Sequence, residues 1–264
     1  MVELNLSGRR AFVSGSTQGI GYAIATGLLA EGASVIINGR SQDKVDLAVS
    51  GLKERYPDAI VSGIVADLED PGQTAQLIDA LGDIDILINN VGRFELSAFG
   101  DIDDDDWQRY FDVNVMSSVR LSRHALPVML ERGWGRILFV GSESGVNIPA
   151  DMVHYGVTKA AMLALSNGLA KLTRGTEVTV NTILGGPTYS TGVADTVDVL
   201  SHAQDIPTDA LKAAIIGGNT TTLLQRFIEP EEIANLALYL ASPLSSATNG
   251  AALRADGGVL TTIL

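Results

Sequence analysis

The sequence contains no cysteine. That excludes a disulfide framework, a thiolate nucleophile and any metal site built on cysteine. Positive charge is also scarce: 18 lysines and arginines stand against 31 aspartates and glutamates, a formal net charge of −13. Binding along a nucleic-acid backbone needs a basic footprint, so nucleic acid is not an expected partner. An acidic carrier protein or an anionic membrane surface is disfavoured on the same ground. No run approaches 18 apolar residues, so no membrane-spanning helix is expected. Met1 to Arg10 carries Glu3, Arg9 and Arg10 and lacks a sustained apolar stretch, which reads against a signal peptide. The expected location is a reducing cytoplasm. The acidic run Asp101 to Asp106, interrupted by Ile102, reads as a solvated loop and helix start, where carboxylates are favoured. No metal is expected.

What is present is a large apolar fraction, 46%, with only 19% charged residues. Over 264 residues that suits one α/β domain spanning 1–264. Seven short β-rich runs are candidate strands: Arg10–Ser14, Ser34–Asn38, Ile60–Val65, Asp85–Asn89, Arg136–Val140, Val178–Ile183 and Ala251–Arg254. Most are apolar through their centres, as parallel strands covered on both faces are. Helical patterns lie between them, over Ile20–Ala30, Gln42–Arg55, Pro71–Leu81, Asp104–Glu131, His154–Arg174 and Pro230–Ala241. Pro127 should kink or break the fourth of these. Strands alternating with helices predict a Rossmann-type, doubly wound parallel sheet with helices on both faces. Its ligands bind at the carboxyl ends of the strands. Residues 185–229 show no clean period and hold five glycines, so they are expected to form a substrate-binding loop or lid.

Glycine is abundant, 28 residues, and its positions carry information. The first strand runs into Ser14-Gly15-Ser16-Thr17-Gln18-Gly19-Ile20-Gly21 and then a helix. Glycines there permit a tight turn and close approach of backbone to a diphosphate, which the helix N-terminus then attracts. The second strand ends at Asn38, with Arg40 two residues on. An acidic residue at that strand end would take the ribose 2′-hydroxyl of NAD. A guanidinium nearby suits a 2′-phosphate instead. NADP(H) is therefore the preferred cofactor and NAD(H) the alternative.

Tyr155 and Lys159 are spaced i, i+4 on a predicted helix and share a face. A neighbouring ammonium is expected to favour the phenolate and so lower the tyrosine pKa. Ser142 closes the fifth strand, at the sheet edge where ligands bind, and can hold a substrate oxygen. Other residues are weighed more plainly. His154 is expected to border the cleft or cap its helix, and Trp107, Tyr110 and Phe111 to pack in the core. Glu143 follows Ser142 and is weighed as a substrate contact, but reads rather as a solvated loop carboxylate. Met152, Ser144, Tyr189 and His202 are candidates for the pocket wall.

With these motifs in order, the chain resembles the short-chain dehydrogenase/reductase family over nearly its whole length. Ser14–Gly21 resembles T-G-x-x-x-G-x-G with serine for threonine. Asp67, followed by Leu68, matches the acidic residue that holds the adenine amino group. Asn89-Asn90-Val91-Gly92 resembles N-N-A-G. Asn114 matches the helix asparagine that anchors a proton-relay water, and Ser142, Tyr155 and Lys159 match the family's catalytic serine and Y-x-x-x-K. Pro230–Ala234 and Ala255–Gly258 resemble late family segments. One segment departs: where the family has N-x-x-x-P-G-x-x-x-T, this chain has Asn181 to Ser190, with Gly185 for the proline and Ser190 for the threonine.

The resemblance implies hydride transfer between NADP(H) and a small carbonyl or secondary alcohol. Tyr155 would be the general acid/base, Lys159 its partner, Ser142 the substrate holder and Asn114 a support for the relay. Ser14, Gly15, Ser16, Gln18, Gly19, Ile20, Gly21, Asn38, Arg40, Asp67, Leu68, Asn90, Gly92, Gly186, Thr188 and Ser190 would bind cofactor, with Tyr155 and Lys159. Ser144 and Tyr189 would join Ser142 and Tyr155 at the substrate. Gly185 removes a fixed φ and should loosen the entry to the loop. The resemblance also implies a homotetramer (or dimer), with the apolar end Val259–Leu264 a candidate contact. A 3-oxoacyl-carrier reductase and a non-catalytic dinucleotide sensor are the rival readings.

Overall fold

The apolar runs become strands of one sheet because each buries alternate residues on opposite faces. In the computed structural model, which describes residues 3–263, the strands are β1 (Arg10–Val13), β2 (Ser34–Gly39), β3 (Val61–Val65), β4 (Ile86–Asn89), β5 (Trp134–Ser142), β6 (Glu177–Gly185) and β7 (Ala252–Ala255). All pair in parallel, in the order β3-β2-β1-β4-β5-β6-β7. The helices are α1 (Gly19–Ala30), α2 (Gln42–Arg55), α3 (Pro71–Leu81), α4 (Asp104–Phe111), α5 (Ser117–Arg132), α6 (Val153–Ala170), α7 (Thr191–Gln204), α8 (Thr208–Gly218) and α9 (Pro230–Ala241).

Val13, Ile37, Ile88, Leu138, Val140 and Ile183 point to one side, where Ile24, Leu28, Ile233 and Ala237 of α1 and α9 cover them. Phe12, Ile36, Leu87, Ile137, Phe139 and Val180 point to the other, against Leu77, Leu121, Ala125 and Met162 of α3, α5 and α6. Strand order reverses between β1 and β4. The loops leaving those two strands therefore part, and a crevice opens at their carboxyl ends. No helix among the described residues is long and apolar enough to cross a membrane.

Three expectations are corrected. The helical stretch 104–131 is two helices joined by a π-helical turn, Asp112–Met116. The interruption is not at Pro127, through which α5 runs unbroken. Pro127 lies on the exposed side, where water can serve the carbonyl left without its donor. Residues 185–229 hold two helices, α7 and α8. Their periodicity is weak because they pack largely on each other, burying Val197, Leu211 and Ile216 but little else. Gly185 is not a loose entry: it ends β6, paired to Ser142 on one side and Ala255 on the other. Beside it, Gly186 must be glycine, since a Cβ there would lie 2.5 Å from the Asp256 carbonyl oxygen.

The tail is partly tied down within the chain. Val259 and Leu260 are buried within the chain. Asp256 accepts the Leu260 N–H at 3.0 Å, and the Arg254 guanidinium donates to the carbonyls of Leu260 and Thr262. Ile263 is exposed, and Leu264 lies outside the described residues.

An exposed proline inside a continuous helix costs about 3 kcal/mol against alanine. Pro127→Ala should therefore stabilise the protein by about 1–3 kcal/mol, after allowing for the freer unfolded chain. Urea unfolding checks this, and a lower midpoint in the variant contradicts an unbroken α5.

Candidate active site

The crevice has two continuous lobes, of about 470 and 500 Å³. Gly15, Gln18, Val91, Gly92 and Phe94 line both. The turn after β1 builds their shared floor. Ser14 is buried and spends its hydroxyl on the turn: Oγ donates to the Ile88 carbonyl and accepts the N–H groups of Asn90 and Val91. Ser16 Oγ likewise donates to Val13 and accepts Asn38 N–H. Neither serine lines the crevice; both hydroxyls hold the turn's shape. Gly15 and Gly19 have φ of +59° and +60°, a region open to glycine. A Cβ on Gly21 would lie 2.5 Å from both Asn90 Nδ2 and the Gly15 carbonyl. No side chain caps the start of α1, so its first N–H groups are available to an anion.

The first lobe lies beyond β2 and β3. Arg40, Asp67 and Leu68 line it as expected. Asn38 reaches the lobe, but its side chain is fully spent: Oδ1 accepts Gly15 N–H, and Nδ2 donates to the carbonyls of Ile64 and Ala66. Asn38 thus ties β2 to the turn and to the end of β3. Lys44 joins Arg40 at this end, and neither is in an ion pair among the described residues. Thr17, Ser41 and Glu69 also line the lobe. None was legible as a site residue, though Lys44 falls four residues after Arg40, in the first turn of α2.

The second lobe holds the expected chemistry. Ser142, Tyr155 and Lys159 all line it, with Gly186, Thr188 and Ser190 on the far wall. Strand β5 delivers Ser142 and α6 delivers the other two. The Ser142 side chain lies close enough to the Tyr155 phenol to favour its ionised form. Its Oγ also accepts the Ser144 N–H at 3.1 Å, fixing the turn that follows. Lys159 is buried, and its Nζ donates to the Val140 carbonyl at 3.0 Å, 5.6 Å from the centre of the Tyr155 ring.

Asn114 sits just behind, in the π-helical turn. Its Oδ1 accepts Arg93 N–H at 2.7 Å, and Nδ2 donates to Thr158 Oγ1 and the Arg93 carbonyl. That clamps the loop after β4 to α6 behind Gly92.

The electrostatics differ from expectation in one respect. Burial pushes the Tyr155 phenol up to about 12, against a smaller downward pull from Ser142. Burial pushes the Lys159 ammonium down to about 8. The expected depression of the phenol is absent: desolvation outweighs the pull of Ser142, and the Lys159 ammonium rests on the Val140 carbonyl. Tyr155 is thus a protonated donor across neutral pH, aimed with Ser142 into a cleft.

Other candidates are reassigned. Tyr189 does not line the cleft; its ring packs on Phe227, centroids 5.4 Å apart, under the Lys212 ammonium at 3.7 Å. His202 is on the outer side of α7, bonded to the Asp198 carbonyl. His154 neither caps nor borders the cleft. It is buried against Tyr110 and Trp107 between α4 and α6, and burial lowers its pKa. Trp107 and Phe111 are half-buried and Tyr110 buried, as core packing requires. Met152 lines the second lobe. Ser144 lines it too, but its hydroxyl donates to Glu143 Oε2 at 3.1 Å. Glu143 is not a solvated loop carboxylate: it is half-buried in the lobe wall, and burial raises its pKa. Phe94, Pro149, Val193 and Phe227 supply apolar wall that no motif announced.

Residues 15–260 match the family described as Enoyl-(Acyl carrier protein) reductase. The uncharacterized oxidoreductase YvaG of Bacillus subtilis is 44% identical over 263 residues, 99% of this chain and 100% of that protein. The 3alpha-hydroxysteroid dehydrogenase of Mediterraneibacter gnavus is 33% identical over 96% of this chain and 97% of its own. Among solved structures, L-sorbose reductase from Gluconobacter frateurii, complexed with NADPH and L-sorbose, superposes with a TM-score of 0.94 at 30% identity. The match covers 99% of this chain and 100% of that one.

The buried ammonium makes a prediction about pH. Unfolded, Lys159 keeps its proton to about 10.5; folded, only to about 8. Between those values the unfolded state binds more protons, so stability rises with pH there. Below about 8 the native state carries the whole cost, about 3 kcal/mol at 1.36 kcal/mol per unit. Tyr155 acts oppositely, but only from about 10 to about 12. Urea unfolding should show stability rising from pH 8 to 10, and Lys159→Met should remove the rise. An equal rise in the variant would place its origin elsewhere.

Proposed function

The chain belongs to the short-chain dehydrogenase/reductase family and is an oxidoreductase acting on CH–OH groups; from that premise, we propose that it reduces a small ketone with NADPH, Tyr155 giving the proton. The observation that carries this is the continuity of the two lobes: the lobe with Ser142, Tyr155 and Lys159 opens directly onto the uncapped helix start and the two cations. The glycine-lined turn fits a diphosphate, and Arg40 with Lys44 fits a 2′-phosphate better than a bare hydroxyl. The NADPH in the L-sorbose reductase structure supports the same preference.

When bound, the dinucleotide supplies the hydride; the protein supplies geometry and a proton. Ser142 and Tyr155 together hold the carbonyl oxygen, and their hydrogen bonds strengthen as negative charge develops there. Tyr155, protonated at neutral pH, releases its proton to that oxygen; in oxidation it takes the proton back. Lys159 adds positive charge beneath the phenol, and transfer of the phenolic proton brings that charge into full use. Asn114 holds the Arg93 backbone and α6 in register behind them. Helices α7 and α8, over Thr191–Gly218, form the lid of the substrate lobe, their entry held beside Gly19 by Ser190. A homotetramer (or dimer) in the cytoplasm completes the reading. A carrier-bound acyl substrate is the lesser alternative, since a net charge of −13 repels an acidic carrier.

Tyr155→Phe should lower kcat by about 10²–10⁴-fold, the usual worth of a positioned acid, with NADPH affinity nearly unchanged. Near-normal turnover would remove Tyr155 from the chemistry. Arg40→Ala and Lys44→Ala should each weaken NADPH about tenfold and leave NADH almost untouched, as loss of a charge-assisted bond predicts. Equal effects on both cofactors, measured by fluorescence titration, would sink the 2′-phosphate assignment.

A further inference from the structure

Among the described residues, Glu143 is the one carboxylate lining the substrate lobe. It follows Ser142 directly, in the short turn Glu143–Gly145 at the end of β5. The turn is rigid: Ser142 Oγ accepts Ser144 N–H, and the Glu143 carbonyl accepts the N–H groups of Val146 and Asn147. Ser144 Oγ donates to Oε2 at 3.1 Å and so orients the carboxyl group. No basic side chain pairs with Glu143 among the described residues, and Oε1 has no protein donor. Asp256 lies close enough to add repulsion rather than relief. Around it the wall is largely apolar, with Phe94, Pro149, Met152, Val193 and Phe227. A ligand that displaces water from this oriented carboxyl group must donate to it in turn or lose that bond.

We propose that Glu143 determines substrate specificity by accepting a hydrogen bond from a hydroxyl group of the substrate, so that the enzyme selects a neutral hydroxylated ketone. The inference rests on the hydride-transfer reading and names the substrate class for that same site. Three chemistries compete for Oε1. An anionic group, such as a keto-acid carboxylate, is repelled by Glu143, which has no cationic partner among the described residues. A plain ketone leaves Oε1 without a donor, and a site built to bond a hydroxyl discriminates strongly against the analogue that lacks it. A cationic substrate would need further acceptors to complete its ammonium, and the rest of this wall is mostly apolar. A hydroxyl needs only one acceptor and suits an apolar surround on its carbon side. Adjacency to Ser142 puts that hydroxyl within a few bonds of the reacting carbonyl.

The test measures kcat/KM with NADPH for dihydroxyacetone, butanone, acetoacetate and aminoacetone, in wild type, Glu143→Gln and Glu143→Ala. Wild type should prefer dihydroxyacetone to each of the others by at least about tenfold, the worth of a bond to a charged acceptor. In Glu143→Ala the dihydroxyacetone-to-butanone ratio should fall about tenfold or more. In Glu143→Gln, which keeps an acceptor and the shape of the turn, it should fall less, while the ratio of acetoacetate to butanone rises. An unchanged hydroxyl-to-plain ratio in both variants overturns the assignment, as does wild-type preference for acetoacetate or aminoacetone. Wild-type protein that binds NADPH but reduces none of the four overturns the hydride-transfer reading and this assignment with it. Reduction by wild type with ratios that ignore Glu143 overturns the assignment alone.

Discussion

The site depends on the parallel pairing of β5 with β6. Nine residue pairs run in register from Trp134–Glu177 to Ser142–Gly185. A slip by one residue would turn every side chain of the strand to the opposite face, and both faces here are packed. The register therefore decides that Ser142 emerges at the same level as Gly185 and Gly186. Pairing of β6 with β7 extends the line to Ala255. Gly186 can pass only because it lacks a Cβ, so Asp256 and the wall of the cleft come close together. The wall opposite the nucleotide turn is set by this one ladder.

The same buried sheet sets the electrostatics. A lysine whose ammonium rests on a strand carbonyl has little water, and the protein bears that cost for positive charge under the phenol. The tyrosine keeps its proton, also through desolvation. Both shifts have one cause, removal of water, and they move in opposite directions because one group gains its charge with the proton and the other loses it. The site therefore holds a protonated phenol near a buried cation, with Ser142 beside it.

Much of this was legible in the sequence. The strand–turn–helix at Ser14–Gly21, the i, i+4 pair Tyr155 and Lys159, and Ser142 after an apolar strand are local patterns, and the fold joins them without altering their spacing. What failed depended on contacts distant in sequence. Tyr189 sits in a motif segment, but Phe227 and Lys212 turn its ring from the cleft. Pro127 was given more disruptive power than an exposed face allows, and the real irregularity, the π-helical turn at Asn114, has no compositional mark. Glu143 reads from sequence as a solvated loop carboxylate because burial of a turn is decided by what folds over it.

The account turns on whether the second lobe moves a hydride to carbon. The direct measurement is to supply NADPH carrying deuterium at the transferable position and a hydroxylated ketone, then locate the label in the product. Deuterium bonded to the former carbonyl carbon, one per NADPH consumed, is the predicted result. NADPH that binds but is not consumed, or label released to water with no alcohol formed, would contradict it.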